Sequence, residues 1–233
     1  MLFRSRHPER GLLTPGDFID ALESQRALMQ AAGHWILAEA FATAADWHGR
    51  GYGLDIHINV AAAQLDDPQF LSMLRSLLQQ YPAIQAEHLW LEIVERVALQ
   101  DRGRSAALAA GCQALGIRFT LDDFGTGAAP MQYLVDLDCG GIKLDKSMID
   151  AACQNARHGR FLKAMVDMAR DLELHVVAEG VEDEAALALL ETSGVSQVQG
   201  YLLGRPMPRE ALEACLDQPV LPSSGAEMAG GHP

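Results

Sequence analysis

Ile117-Arg118-Phe119-Thr120-Leu121 runs straight into Asp122-Asp123-Phe124-Gly125. A short β-type run thus delivers two adjacent carboxylates at its end, and a helical pattern near Ser105–Leu115 comes just before it. The same unit recurs on both sides. Leu54–Val60 alternates apolar with polar side chains, as a strand does. Leu89–Val94, Gly141–Leu144, Leu174–Ala178 and Gln197–Tyr201 are further strand candidates. Between them, Phe70 to Leu78 carries Phe70, Leu71, Leu74, Leu77 and Leu78 on one helical face, and Arg160 to Leu172 carries Phe161, Met165, Met168, Ala169 and Leu172. Asp183–Thr192 and Arg209–Leu216 follow the helical pattern too. Two more helices, near Pro15–Ala31 and Gly33–His48, precede the first strand, and Pro15 followed by Asp17 reads as a helix start.

Repeated β-then-α units with no composition break imply an α/β fold on a parallel sheet, either open or closed into a barrel. A (β/α)8 barrel takes about 250 residues. Here the strands follow two helices that have no strand of their own, so the arithmetic suggests a barrel without its opening strand material. An open doubly wound sheet is the alternative, and it ordinarily carries a Gly-rich loop after its first strand. Gly49-Arg50-Gly51-Tyr52-Gly53 precedes a strand instead, and reads as a turn rather than a dinucleotide fingerprint.

The 233 residues carry 31 Asp+Glu against 18 Lys+Arg, a formal net charge of −13. That length and an apolar fraction of 49% fit one large domain with a real core. The acidic balance argues against a DNA-binding surface and against an electrostatic anchor to anionic lipid. No apolar run reaches the ~18 residues of a membrane span. Cys112, Cys139, Cys153 and Cys215 form no CxxC pair and read as free thiols of a reducing, cytoplasmic compartment. The domain is expected over residues 1–217, and the Gly-, Ser- and Pro-rich stretch 218–233 as a flexible tail.

The placement of the polar residues is more telling than their number. Asn59, Glu92 (with Glu95 just after), Asp122-Asp123, Lys143 (followed by Asp145), Glu179 (Glu182 three residues on) and Gln199 fall at or just past the ends of consecutive strands. Parallel strands gather their C-terminal ends at one face, and barrel enzymes build their sites there. A single such residue is ordinarily a helix cap, a turn residue or a solvated charge. The same coincidence at every strand end points to a metal-dependent site. So many carboxylates do not stay ionised together without cations between them. Hard oxygen ligands select Mg²⁺ or Mn²⁺ over zinc. Adjacent Asp122 and Asp123 suit a bridging and a terminal ligand of a two-metal site, the arrangement that clamps the attacking and leaving oxygens of a phosphoryl displacement. Lys143 would neutralise phosphate charge or hold the attacking water.

Several readings fall away. Asp123-Phe124-Gly125 has no kinase Gly-rich or catalytic loop beside it. None of the eight histidines forms HExxH or a sequence-adjacent His-Asp pair, and no GxSxG is present. A glycosidase with paired carboxylates explains neither Asn59 nor Lys143.

Taken together, these segments resemble the EAL-domain family of bacterial cyclic di-GMP phosphodiesterases. The matching stretches are Ile58-Asn59-Val60, Leu91-Glu92-Ile93-Val94-Glu95, Asp122-Asp123-Phe124-Gly125-Thr126-Gly127, Ile142-Lys143-Leu144-Asp145, Ala178-Glu179-Gly180-Val181-Glu182 and Gln199-Gly200-Tyr201, with Arg205-Pro206 similar to the family's closing turn. They come in family order. The resemblance implies a TIM-type barrel whose first strand runs antiparallel to the rest, and hydrolysis of cyclic di-GMP to the linear dinucleotide pGpG. It implies metal ligands at Asn59, Glu92, Asp122, Asp123 and Glu179, and a lysine beside the catalytic water at Lys143. Glu182, Gln199 and Asp145 take supporting or substrate-binding positions, Arg4 contacts phosphate, and Glu95 holds the loop after Asp122-Asp123. A homodimer and an upstream sensory or GGDEF-type domain are the implied partners. The alternative within the family is a receptor that binds cyclic di-GMP without cleaving it.

Two departures stand out. After Gly127 the family loop continues Tyr-Ser-Ser, whereas this chain has Ala128-Ala129-Pro130, which weakens the expected coupling of loop, site and dimer. The family's Glu-Ala-Leu motif also lacks its glutamate: Leu2-Phe3-Arg4 matches its Leu-x-Arg and Met1 falls on its middle residue. With the strand before it missing as well, the expected explanation is a fragment or a mis-called start, a GTG valine codon at the motif's middle position having been read as the start.

Overall fold

The computed structural model describes residues 5–126 and 132–217. The described chain divides into two units, one up to Arg205 and one from Pro206 on. The expected tail 218–233 lies outside the described residues.

The larger unit opens with a hairpin, β1 (Ser5–His7) antiparallel to β2 (Gly11–Leu13). A 3-10 turn, Pro15–Asp17, follows. It starts where Pro15 and Asp17 predicted a helix, with the Thr14 amide donating to Asp17 Oδ2 at 2.7 Å. The helix then breaks into α1 (Ile19–Glu23) and α2 (Arg26–Gly49). Sequence reading put that break near Gly33, but α2 runs through it. A Cβ on Gly33 would lie 2.3 Å from the buried Gln64 side chain, so glycine at this position admits a close helix contact that offsets its lower helix propensity.

The βα repeat comes next: β3 (Ile56–Asn59), α3 (Ala62–Leu65), α4 (Phe70–Gln80), β4 (Leu89–Val94), α5 (Glu95–Gln100), α6 (Arg102–Ala114), β5 (Arg118–Phe124), α7 (Gln132–Leu137), β6 (Gly141–Leu144), α8 (Lys146–Gln154), α9 (Ala156–Asp171), β7 (His175–Ala178), α10 (Glu184–Ser193) and β8 (Gln197–Val198). The last strand is shorter than the predicted Gln197–Tyr201, and β5 is longer than Ile117–Leu121, taking in both aspartates. All six strands of β3–β8 are parallel, and each pairs with its neighbours in sequence order. This is the β/α order of a TIM-like barrel, and among the described residues no strand joins the sheet before β3, as the strand arithmetic predicted.

The helices are started by residues that suit the job. Asp101, Asp145, Asn155 and Asp183 each accept a backbone N–H of the following turn. The core lies between sheet and helices, around Phe41, Phe70, Phe119, Leu74, Leu91, Ile93 and Ile142. Along β3 burial alternates, with Ile56 and Ile58 in the core and His57 and Asn59 on the opposite face. Strand β6 is buried throughout and β4 up to its last residue, Val94, so their polar residues Glu92 and Lys143 are enclosed with them. In the second unit the described chain forms α11 (Arg209–Leu216), where Arg209 Nε lies 2.6 Å from Glu213. Among the described residues, no helix is long and apolar enough to cross a membrane.

Candidate active site

The strand register assembles the site. Asn59 stands opposite Glu92 across β3 and β4, and Thr120 opposite Glu92 across β4 and β5. Lys143 comes from β6, and Glu179 directly follows β7, its amide bonded to Leu144 O at 3.0 Å.

Adjacent residues of a regular strand point to opposite faces. Asp122 and Asp123 nevertheless serve one site, because β5 is irregular there. Its register with β6 shifts between Leu121 and Phe124, and Asp123 adopts φ 54°. Asp is among the residues that tolerate this left-handed backbone best. The Asp123 amide donates to Asp122 Oδ1 at 3.1 Å, and Thr126 Oγ1 donates to Asp123 O at 2.8 Å. Gly125 (φ 93°) completes the turn, and its amide donates to Glu95 Oε2 at 2.9 Å. Glu95, buried at the start of α5, thus bonds to the first turn of this loop. The rest of the loop, 127–131, with the Ala128-Ala129-Pro130 departure, lies outside the described residues.

The result is a set of carboxylates around one ammonium. Lys143 Nζ lies 2.5 Å from Glu179 Oε1, 2.9 Å from Glu92 Oε1 and 3.5 Å from Asp122 Oδ1. Carboxylate oxygens of Asp122, Asp123 and Glu179 all lie within 4.8 Å of one another. Burial disfavours the Lys143 ammonium, but Glu92, Asp122 and Glu179 outweigh it, and the group is held well above its ordinary pKa. Burial raises Asp122 to about 6; Lys143 opposes this, while Glu179, Glu92 and Asp123 push the same way. Burial also works against Glu92, but a hydrogen bond from His57 and the charge of Lys143 bring it below the usual carboxylate range. One ammonium does not balance this many carboxylates. A hard divalent cation fits the donor set, since every donor is an oxygen and the local charge is negative.

The other expected residues sit apart from this cluster. Asn59 is exposed on β3, one register step from it. Asp145 accepts from the Ser147 amide at 2.9 Å and caps α8. Glu182 pairs with Lys146 at 3.0 Å, and Lys146 also reaches Gly180 O at 3.4 Å. Gln199 is exposed, and its main chain ties the β7 end together: Gln199 N to Ala178 O at 2.8 Å, Val181 N to Gln199 O at 3.1 Å. Arg4 lies outside the described residues. Sequence reading missed His57, whose Nδ1 lies 2.8 Å from Glu92 Oε1. The signal was its place two residues before Asn59, on the same face of an alternating strand.

Comparison with known proteins gives one consistent result. The model of the EAL domain family matches residues 1–206. The bifunctional diguanylate cyclase/cyclic di-GMP phosphodiesterase MucR of Pseudomonas aeruginosa is 35% identical over 214 residues, which are 91% of this chain and 31% of that protein. The cyclic di-GMP phosphodiesterase PA2567 of the same organism is 35% identical over 212 residues, 91% of this chain and 36% of that protein. The chain thus spans about a third of the length of these curated relatives. Among solved structures, the PaMucR phosphodiesterase in complex with c-di-GMP superposes with a TM-score of 0.84 at 34% identity, covering 91% of this chain and 85% of that one.

Proposed function

The chain belongs to the EAL domain family, and from that premise we propose that it hydrolyses one phosphodiester bond of cyclic di-GMP, giving pGpG, in a reaction dependent on Mg²⁺ or Mn²⁺. The observation that supports this reading best is the half-buried group of Asp122, Asp123 and Glu179 beside the buried pair Glu92 and Lys143. Asp122, Asp123, Glu179 and Glu92, with Asn59 at the rim, are the residues that would hold the metal. A bound metal of this class supplies positive charge at the phosphate and lowers the pKa of a coordinated water.

The chain's own groups account for the remainder. Lys143 is protonated throughout the neutral range, since three carboxylates surround it. It is a fixed positive charge that donates hydrogen bonds, the role that suits stabilising a phosphoryl group whose negative charge grows in the transition state. Its burial keeps that charge effective by excluding water. The turn at Asp122–Gly125, tied to Glu95, holds two carboxylates in fixed geometry before substrate arrives.

The test is turnover of cyclic di-GMP by this chain with Mg²⁺ or Mn²⁺, followed as linear dinucleotide by chromatography, with binding measured alongside. Expected are turnover abolished by EDTA and a loss of orders of magnitude in Glu179→Ala. Tight binding with no turnover would replace the phosphodiesterase reading by a receptor. Near-normal turnover in Glu179→Ala would refute the site.

A further inference from the structure

One polar contact of the site belongs to no role given so far. His57 Nδ1 lies 2.8 Å from Glu92 Oε1, and the Glu92 side chain is 3% exposed. A carboxylate only accepts, so Nδ1 carries the proton and His57 is the donor. Lys143 meets the same oxygen at 2.9 Å. Both bonds fall on Oε1, which directs the other oxygen, Oε2, away from them.

The imidazole is held in its orientation from beneath. His57 and Trp90 are register partners on β3 and β4. Their rings stack with centroids 5.4 Å apart and planes 4° from parallel. Trp90 is itself buried and clamped, with the Arg118 guanidinium 4.9 Å from its centroid and the edge-on His175 ring at 5.1 Å. Gly141 lies beside the indole: an added Cβ would stand 2.8 Å from His175 O and 3.3 Å from Trp90 Cζ3. This aromatic layer thus lies on the sheet two residues before the level of Glu92, on the same face, and His57 connects the two.

We infer that His57 is a positioning residue: seated on Trp90, it fixes by one hydrogen bond the Glu92 carboxylate, one of the groups that would hold the divalent cation. The inference rests on the metal-dependent reading above and names a residue that tunes that site. Removing such a supporting partner typically lowers metal affinity 10- to 100-fold.

Three substitutions separate the hydrogen bond from the packing. His57→Phe keeps a ring to stack on Trp90 but has no donor. His57→Asn loses the ring but places an amide N–H where Nδ1 was. His57→Ala removes both. The readout is Mn²⁺ affinity of the 233-residue chain without substrate, by electron paramagnetic resonance of the free ion, with thermal melting as the check on folding. Expected are about 10-fold or greater losses in His57→Phe and His57→Ala, and affinity close to that of the unsubstituted chain in His57→Asn. Unsubstituted-like affinity in His57→Phe overturns the inference, because stacking then suffices. Affinity in His57→Asn no better than in His57→Ala overturns it as well, and that pair decides if His57→Phe does not fold. No Mn²⁺ binding by the unsubstituted chain overturns the metal-dependent reading, and the positioning role with it. Intact binding that ignores His57 overturns the positioning role alone.

Discussion

Lys143→Met is the perturbation whose consequence follows most directly from the geometry. Lys143 is 4% exposed, and its ammonium contacts three carboxylates at 2.5 to 3.5 Å. At an effective dielectric near 20, two unit charges ~3 Å apart attract by about 5 kcal/mol. Most of that offsets the cost of taking both ions out of water, so the net worth of the cluster is far less than the sum of its contacts. Removing one partner is different, since the others stay buried and uncompensated, at about 3–5 kcal/mol. Glu92 keeps its bond from His57, and Asp122 and Glu179 retain some solvent. The lower end, about 3 kcal/mol, is therefore expected. With a urea m-value of about 3 kcal/mol/M, the unfolding midpoint falls by about 1 M. The assay is urea unfolding followed by circular dichroism, with EDTA present in both proteins so that no cation masks the loss. Adding Mg²⁺ to the variant is expected to return part of the midpoint, as a divalent cation replaces the missing positive charge. A midpoint in EDTA within about 0.2 M of the unsubstituted chain, at equal m, would refute the reasoning. The carboxylates would then be relieved by protonation or by water, and Lys143 would not be what makes them tolerable.

Two further predictions concern local structure. Gly125→Ala puts a Cβ at φ 93° and 2.0 Å from Met148 Cε. It is expected to cost about 1–2 kcal/mol from the backbone alone and to lower turnover sharply by shifting the Asp122-Asp123 turn. Adding Met148→Ala relieves the clash but not the backbone strain, so urea midpoints should recover only in part, and full recovery would contradict the backbone argument. Among the thiols, Cys112 and Cys139 are buried, and burial pushes them up to about 12 and about 11. Cys153 and Cys215 are exposed. A maleimide at neutral pH should therefore modify two cysteines in the native chain and four only after unfolding, read by intact mass.

The βα repeat was legible because it rests on period and spacing. Leu89–Val94 and Gly141–Leu144 fall where the apolar runs predicted them. Boundaries set by tertiary contact were not. Gly33 looks like a helix break until Gln64 is seen packed against it. The hairpin β1–β2 pairs two three-residue strands, too short to show a period. Strand-end reasoning also brought Glu92, Asp122, Lys143 and Glu179 to one place, and these do meet. It treated Asp145 the same way, although Asp145 two residues before Ser147 is also a helix start, and in the structure it caps α8. His57 escaped for a different reason. Its partner lies 35 residues away, and only the register of β3 on β4 brings them together.

The Asp122-Asp123 pair shows why residue types alone do not make a site. On a regular strand the two carboxylates would face opposite sides, one into the site and one into the packing between sheet and helices. Burying an ionised carboxylate in that second place would cost several kcal/mol, so the dipeptide is incompatible with an undistorted β5. The register shift and the left-handed Asp123 resolve the conflict by turning the second side chain back toward Glu179. That distortion has its own cost, of order 1–3 kcal/mol for such a backbone, and the contacts that offset it are identifiable: Thr126 Oγ1 on Asp123 O, and Glu95 on the Gly125 amide. Glu95 comes from a different βα unit, at the start of α5 directly after β4. The site is therefore held by the sheet order itself. Strand β4 brings Glu92 to the cluster and, one turn of chain later, Glu95 to the loop of β5, so a shift of β4 against β5 would displace a carboxylate and release the turn in the same movement.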